Sequence, residues 1–370
     1  MTSLFSPASA RPLSLLAIGA LLVACAKSTT GSEGLGGNGG TGGATTMGGA
    51  GGSTGGTTSM GGTSTGGSLI GGMDTGGAAP EVPPTIYVHT IDTLFQGDPS
   101  KPDLGLTQIG KMDCIGGVGQ DTSMTDIAVS ATGELWGISK TNVYKLEIAG
   151  SVVKCTQTIP LLNPPDVRFY GLTFAPKGVI DPNKEVLIAG NTAGELWQVD
   201  ENGALTQRGT LGTVPVNDGN GHTYPNSGTA WELSGDLVFL ENNGNPAGFA
   251  TVRDCPNPPS TQNCDPIDTL VELNVSKIKT ATTQSVVKSL RGQLVKTPGC
   301  AGADAGYGAV FGITAWKDKV YGFSRASSTL GYALSINNDT GTACVIKSYD
   351  QPWSGAGITT IAPVDIPPPK

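Results

Sequence analysis

The tetrapeptide Gly-Glu-Leu-Trp occurs twice, at residues 133–136 and 194–197, each time with an apolar run before it. "TDIAVSATGELWGIS" (125–139) and "AGNTAGELWQVD" (189–200) are copies of one unit, with Trp136 and Trp197 sixty-one residues apart. "TAWELSGDLVFL" (229–240) reads as a looser copy: apolar strand, Gly turn, second strand. "GITAWKDKVYGF" (312–323) is another, with a Lys-Asp turn. Recurrence of this kind restricts a chain to arrays in which each unit covers its neighbour's apolar face.

Each copy continues in the same way. From residue 127 the runs are "IAVSA", "ELWGIS", "VYKLEI" and "VVKCTQTI"; from 313 they are "ITAWK", "KVYGFS", "GYALSIN" and "ACVIKS". Short β-branched and aromatic runs parted by Gly, Asn and Asp turns are hairpins in series. Sustained 3.6-residue periodicity is missing beyond the leader, so the expected class is all-β. Four-stranded units repeated around an axis make a β-propeller. Innermost strands are expected at 125–131, 170–175, 228–233 and 311–316. The region 85–110 supplies three strands without an innermost one, and "GAGITTIAPV" (355–364) supplies the fourth. Five blades result, in a ring closed by the C-terminal strand, which leaves no blade edge open. Six result instead if the insert 242–265 hides strands, although its "NNGNPAG" and "CPNPPSTQNC" read as loops. The propeller domain is thus expected over 85–365, with 366–370 as a tail.

Composition sets the rest of the chain apart. Of 56 glycines, 22 crowd between Gly31 and Gly77, where near-repeats such as "GGSTGG" carry too few apolar groups to offset ordering entropy. Residues 25–84 are expected to be a disordered tether, stiffened at its end by "PEVPP" (80–84). The net charge of −8, with basic residues scattered singly, excludes nucleic acid as a partner.

The apolar run Leu13–Ala24 behind Arg11 is too short to span a bilayer and reads as a signal peptide over 1–24. Its ending, Leu22-Val23-Ala24-Cys25, resembles the lipobox of bacterial lipoproteins. That resemblance implies cleavage before Cys25, acylation of its thiol with palmitate-type chains, and a membrane partner reached through the N-terminal lipid. Two or more acyl chains hold a protein stably where one does not. Ala26 stands where an aspartate in that family signals inner-membrane retention, so the resemblance implies the outer membrane, on its periplasmic or surface face. The Gly-rich tether and the blade repeats together resemble surface propeller lipoproteins of Gram-negative bacteria.

Six cysteines remain for the folded part, an even number suited to an oxidising compartment. Cys114 follows the last strand of blade one and Cys155 lies in that of blade two; Cys300 and Cys344 hold the matching places in blades four and five. The expected pairs are Cys114 with Cys155, Cys300 with Cys344, and Cys255 with Cys264 as a local loop staple.

Chemistry is harder to find. Glycoside hydrolysis needs two carboxylates facing each other, and the expected inner-strand starts offer Asp126, Tyr170, Asn226 and Gly312, of which one is acidic. "SATGELW" (130–136) resembles the Asp box of sialidase-like propellers, with Thr132 in the aspartate's place; in that family the box is a structural turn. No G-x-S-x-G elbow, C-x-x-C pair or clustered histidines occur, so no catalytic constellation, cofactor or metal is implied. The leading expectation is a non-catalytic recognition module binding protein, peptide or glycan through the loops of one propeller face. Candidate contacts are Asp126, Arg168, Tyr170, His222, Tyr224 and Trp353. The alternatives are a polysaccharide-active hydrolase or lyase, and a structural spacer.

Overall fold

The computed structural model describes residues 84–303 and 305–366; the leader, the acylation site at Cys25 and the tether, all expected from sequence, lie outside them through residue 83, as do 367–370. Blade one begins with β1 (Ile86–His89), β2 (Thr93–Gly97) and β3 (Thr107–Met112). Blade two is β4 (Asp126–Val129), β5 (Leu135–Ile138), β6 (Asn142–Ala149) and β7 (Val152–Pro160). Blade three is β8 (Phe169–Ala175), β9 (Val186–Asn191), β10 (Glu195–Val199) and β11 (Leu205–Thr210). Blade four is β12 (Glu232–Leu240), β13 (Ala247–Arg253), β14 (Thr269–Leu273) and β15 (Val287–Gln293). Blade five is β16 (Val310–Trp316), β17 (Lys319–Arg325), β18 (Gly331–Asn337) and β19 (Ala343–Tyr349). The short β20 (Gly355–Gly357) then pairs antiparallel with β1 and completes blade one from its inner side. The fold is a five-bladed β-propeller whose ring is closed by the C-terminal strand.

Two expectations need correction. Gly235-Asp236 is not a turn between strands: it is a register shift inside one nine-residue strand, β12, buried along its whole length. Glycine followed by aspartate signals a turn in sequence, and it serves a bulge equally well. The stretch 242–265 does hold a strand, β13, but as the second strand of blade four, so the count stays at five.

The junctions repeat as the blades do. The outer strand of blade one runs on parallel to that of blade two (Lys111 opposite Val152, Met112 opposite Val153). Parallel bridges Leu162–Ala204, Thr210–Ser285 and Lys296–Ala343 recur at the next three junctions. Each bridge gives the outer edge of a blade a backbone partner, which guards that edge against pairing elsewhere. Disulfides Cys114–Cys155 and Cys300–Cys344 reinforce the first and last of these junctions, and Cys255–Cys264 closes a loop, all three as expected. At the fifth junction, between blades five and one, Trp353 packs edge-on against Phe95, Phe323 and Tyr349 and is wholly buried.

At the centre the inner strands crowd one another. A Cβ at Gly312 would stand 2.7 Å from the backbone of Gly355 and Ala356, so β16 and β20 approach only because residue 312 has no side chain.

Candidate functional site at the mouth of the axis

Asp126 begins β4, and Asp236 sits at the bulge of β12; both are wholly buried, and the two carboxyls are close enough to perturb each other. Asp126 Oδ2 accepts from the backbone N–H of Leu172 in blade three. Asp236 Oδ2 accepts from that of Ile313 in blade five (2.6 Å), and its carboxyl also accepts from Ala356 in blade one. Carboxyls from two blades thereby tie down backbone amides of the other three. Burial pushes both carboxyls well above the usual range, and for Asp126 the neighbouring Asp236 adds to the rise. His89 lies beside them, its Nε2 3.9 Å from Asp126 Oδ1, while its Nδ1 donates to the Thr90 carbonyl at 2.6 Å. Burial drives the imidazole down to about 4, so it is neutral at physiological pH. The centre is filled by buried polar groups, of which His89 Nε2 and Asp126 Oδ1 face each other without a hydrogen bond.

Above this plug, at the face where the inner strands begin, a cavity of about 60 Å³ is lined by Ile91, Met124, Thr125, Arg168, Tyr170, Phe311, Arg325 and Ser354. The rings of Tyr170 and Phe311 stack with centroids 5.8 Å apart and planes 6° from parallel. A guanidinium lies over each: Arg168 at 4.8 Å from the Tyr170 centroid, Arg325 at 5.1 Å from that of Phe311. Neutral acceptors fix both arginines. Arg168 Nη2 donates to Ser123 Oγ (3.0 Å); Arg325 donates from Nε to the Trp353 carbonyl (3.2 Å) and from Nη2 to Ser354 Oγ (2.6 Å). Burial, opposed by Tyr170 and assisted by Arg168, draws the Arg325 guanidinium downward.

A cleft of about 520 Å³ between blades four and five adjoins the mouth and shares Arg325 with it. Arg253, Asp265, Tyr307, Ser324 and Tyr332 are among its walls. Arg253 is held by Asp268 (3.1 Å) and Ser234 (2.8 Å), and the nearby Glu232 is raised by burial to about 7 against the pull of Arg253. Glu232 touches Cys255 and Cys264, and Asp113 touches Cys114 and Cys155, in groupings close enough for a metal. Their sulfurs are spent in disulfides, and a metal needs thiolates.

The expected contact residues separate into three groups. Arg168 and Tyr170 come together at the mouth. His222 borders the cleft, its Nε2 3.5 Å from Asp265. Asp126 is part of the plug, while Tyr224 and Trp353 are 2% and 0% exposed and offer no surface to a ligand. Tyr224 lies between His222 and Trp231, and Trp353 lends the mouth only its carbonyl. Sequence reading missed Phe311, Arg325 and Asp236. The signal for Phe311 was present: "YGLT" (170–173) and "FGIT" (311–314) place an aromatic before a glycine at equivalent positions of blades three and five. Asp236 was hidden by the misread turn.

The Asp-box-like segment is a turn, as expected: Ser130 Oγ accepts from the backbone N–H groups of Thr132 (3.2 Å) and Glu134 (3.0 Å). Trp136 lines a cleft of about 650 Å³ between blades two and three, at the end of the ring opposite the mouth.

No protein-family model matches the chain, and no curated protein is significantly similar to it. Among solved structures it is similar to a protein of unknown function from Bacteroides caccae, at 10% identity over 75% of this chain and 98% of that one, with a TM-score of 0.36. It is also similar to a putative TolB from Agrobacterium tumefaciens, at 10% identity over 74% of this chain and 91% of that one, TM-score 0.35. A periplasmic gluconolactonase from Pseudomonas aeruginosa gives 9% identity over 72% and 68%, TM-score 0.30. The five-bladed assignment stands on this chain's own strand order.

Proposed function

We propose that the protein is a recognition module held at the cell envelope by an N-terminal lipid, and that the face where the inner strands begin receives its ligand. The mouth carries this reading: two guanidiniums laid over a stacked aromatic pair, beside a cleft of ligand-sized volume. Three disulfides support an oxidising, extracytoplasmic compartment, and Leu22-Val23-Ala24-Cys25 supports the anchor. The polysaccharide-hydrolase alternative needs a carboxyl pair open to substrate. Asp126 and Asp236 face each other, but both are wholly buried and so are closed to substrate.

The test is capture of ligand from envelope extracts by the full chain in detergent, compared with Tyr170→Ala and with Lys184→Ala on the opposite cleft. Recognition through the mouth requires retention by the Lys184 variant and loss with the Tyr170 variant. Equal capture by all three removes the reading. The anchor is tested separately, by palmitate labelling that Cys25→Ala should abolish.

A further inference from the structure

We infer that the mouth binds the carboxylate of a small hydroxy acid or sugar acid, a proposal that rests on the recognition reading and names its ligand class. In a chain of net charge −8, Arg253 and Arg291 each hold a carboxylate, at 3.1 and 2.5 Å. Arg168 and Arg325 do not: among the described residues no carboxylate oxygen lies within 4 Å of either, and the acceptors that fix them are two hydroxyls and one carbonyl. Two like charges are thus brought together, one of them half-buried, with their orientation set and their charge left uncompensated. An anion between them offsets that repulsion, and a guanidinium presents the fork that a carboxylate matches.

Size and charge narrow the class. The 60 Å³ mouth takes about one carboxylate-sized group, and the 520 Å³ cleft that shares Arg325 takes the body of a small molecule. The far wall of that cleft carries Asp265 beside His222, which disfavours a second negative charge and suits hydroxyl donors. A polyanion would meet the acidic surface of the whole domain. One carboxylate with hydroxyls at its far end fits both ends of the space.

The experiment is calorimetric titration of the full chain in detergent with lactate, gluconate and glucuronate, each against its uncharged counterpart (propanediol, glucitol, glucose), and with inorganic phosphate. At least one of the three acids should bind saturably, its counterpart should not, and Arg168→Gln and Arg325→Gln should each weaken binding by about tenfold or more. Arg168 is exposed, so its variant tests the site even where Arg325→Gln melts early. Binding of none of the acids, equal binding of acid and counterpart, or binding of phosphate alone would each overturn the carboxylate. Envelope capture separates the two levels. Capture lost with Tyr170→Ala but kept with both arginine variants leaves recognition standing and the carboxylate refuted; capture indifferent to Tyr170 refutes recognition itself.

Discussion

Asp126 and Asp236 meet on the propeller axis, one from blade two and one from blade four, and burial leaves them one stable way to coexist: they share a proton. Their folded pKa values lie above the ordinary 3.8, so from about pH 4 upward the folded protein binds more protons than the unfolded chain. Stability contributed by the protonated pair is therefore full below that pH and falls as pH rises. In Asp126→Asn the amide donates to Asp236 in place of the shared proton, and its oxygen still accepts from Leu172. Urea denaturation from acid to neutral pH should show stability falling less steeply with pH in this variant than in wild type. An unchanged slope would sink the shared proton. Asp126→Ala, which orphans the Leu172 amide, should cost about 1–3 kcal/mol at every pH.

His89 works in the opposite direction. Its folded pKa of about 4 is below the unfolded 6.5, so its contribution is intact above pH 6.5 and is lost as pH falls toward 4. Nitrogen-edge NMR should find the ring neutral at pH 6, with the proton on Nδ1, which faces the Thr90 carbonyl at 2.6 Å. A ring that titrates near 6.5 in the folded protein would contradict its complete burial.

Gly355 is where these two groups leave room for the closing strand. A Cβ there would collide with both Asp126 Oδ1 and His89 Nε2, side chains that are wholly buried and have nowhere to move. Gly355→Ala should destabilise by at least the ~1–3 kcal/mol typical of overpacking, and should raise amide exchange in β1 and β20 ahead of the other blades. A change in melting temperature of less than a degree would show that the centre is looser than its contacts imply.

This centre also shows what the sequence could and could not reveal. Blades two, three and five were legible because each inner strand is a short apolar run between turn residues, and β20 was legible because three strands at the N-terminus lacked an inner partner. Blade four was misread at one dipeptide. Gly235-Asp236 carries the local signature of a turn, and the feature that makes it a bulge is the closeness of blade five: a Cβ on Gly235 would strike the backbone of Phe311, 76 positions away in sequence and on the neighbouring inner strand. With Asp236 lost, Asp126 looked solitary. The mouth was half legible for the same reason: Arg168 and Tyr170 precede a recognisable strand, whereas Arg325 ends β17 and reaches the mouth only because blade five curls beside Ser354.

The disulfides differ in what their removal should cost. Cys114–Cys155 and Cys300–Cys344 close loops with separations of 41 and 44 residues, against 9 for Cys255–Cys264. Chain entropy assigns about 4 kcal/mol to each long link and about 2.7 kcal/mol to the short one. Paired Cys→Ser variants should therefore lower the urea midpoint more for either junction disulfide than for the loop staple. The reverse order would mean that the parallel bridges at the junctions hold the blades without covalent help.

Glu232 should be the group that titrates near neutrality at the cleft. Burial raises it to about 7 while Arg253 pulls it down, so it is protonated in part at physiological pH and ionises as pH rises. Its folded value exceeds the ordinary 4.5, so the stability associated with its protonated form is complete below pH 4.5 and is lost between there and about 7. Glu232→Gln fixes the neutral state and should make the protein more stable than wild type at pH 8 and about equal to it at pH 4.5. Carbon-13 NMR of the labelled carboxyl, read as a midpoint near 7, checks the cause directly; a midpoint near 4.5 would place Glu232 in contact with water and open the floor of the cleft.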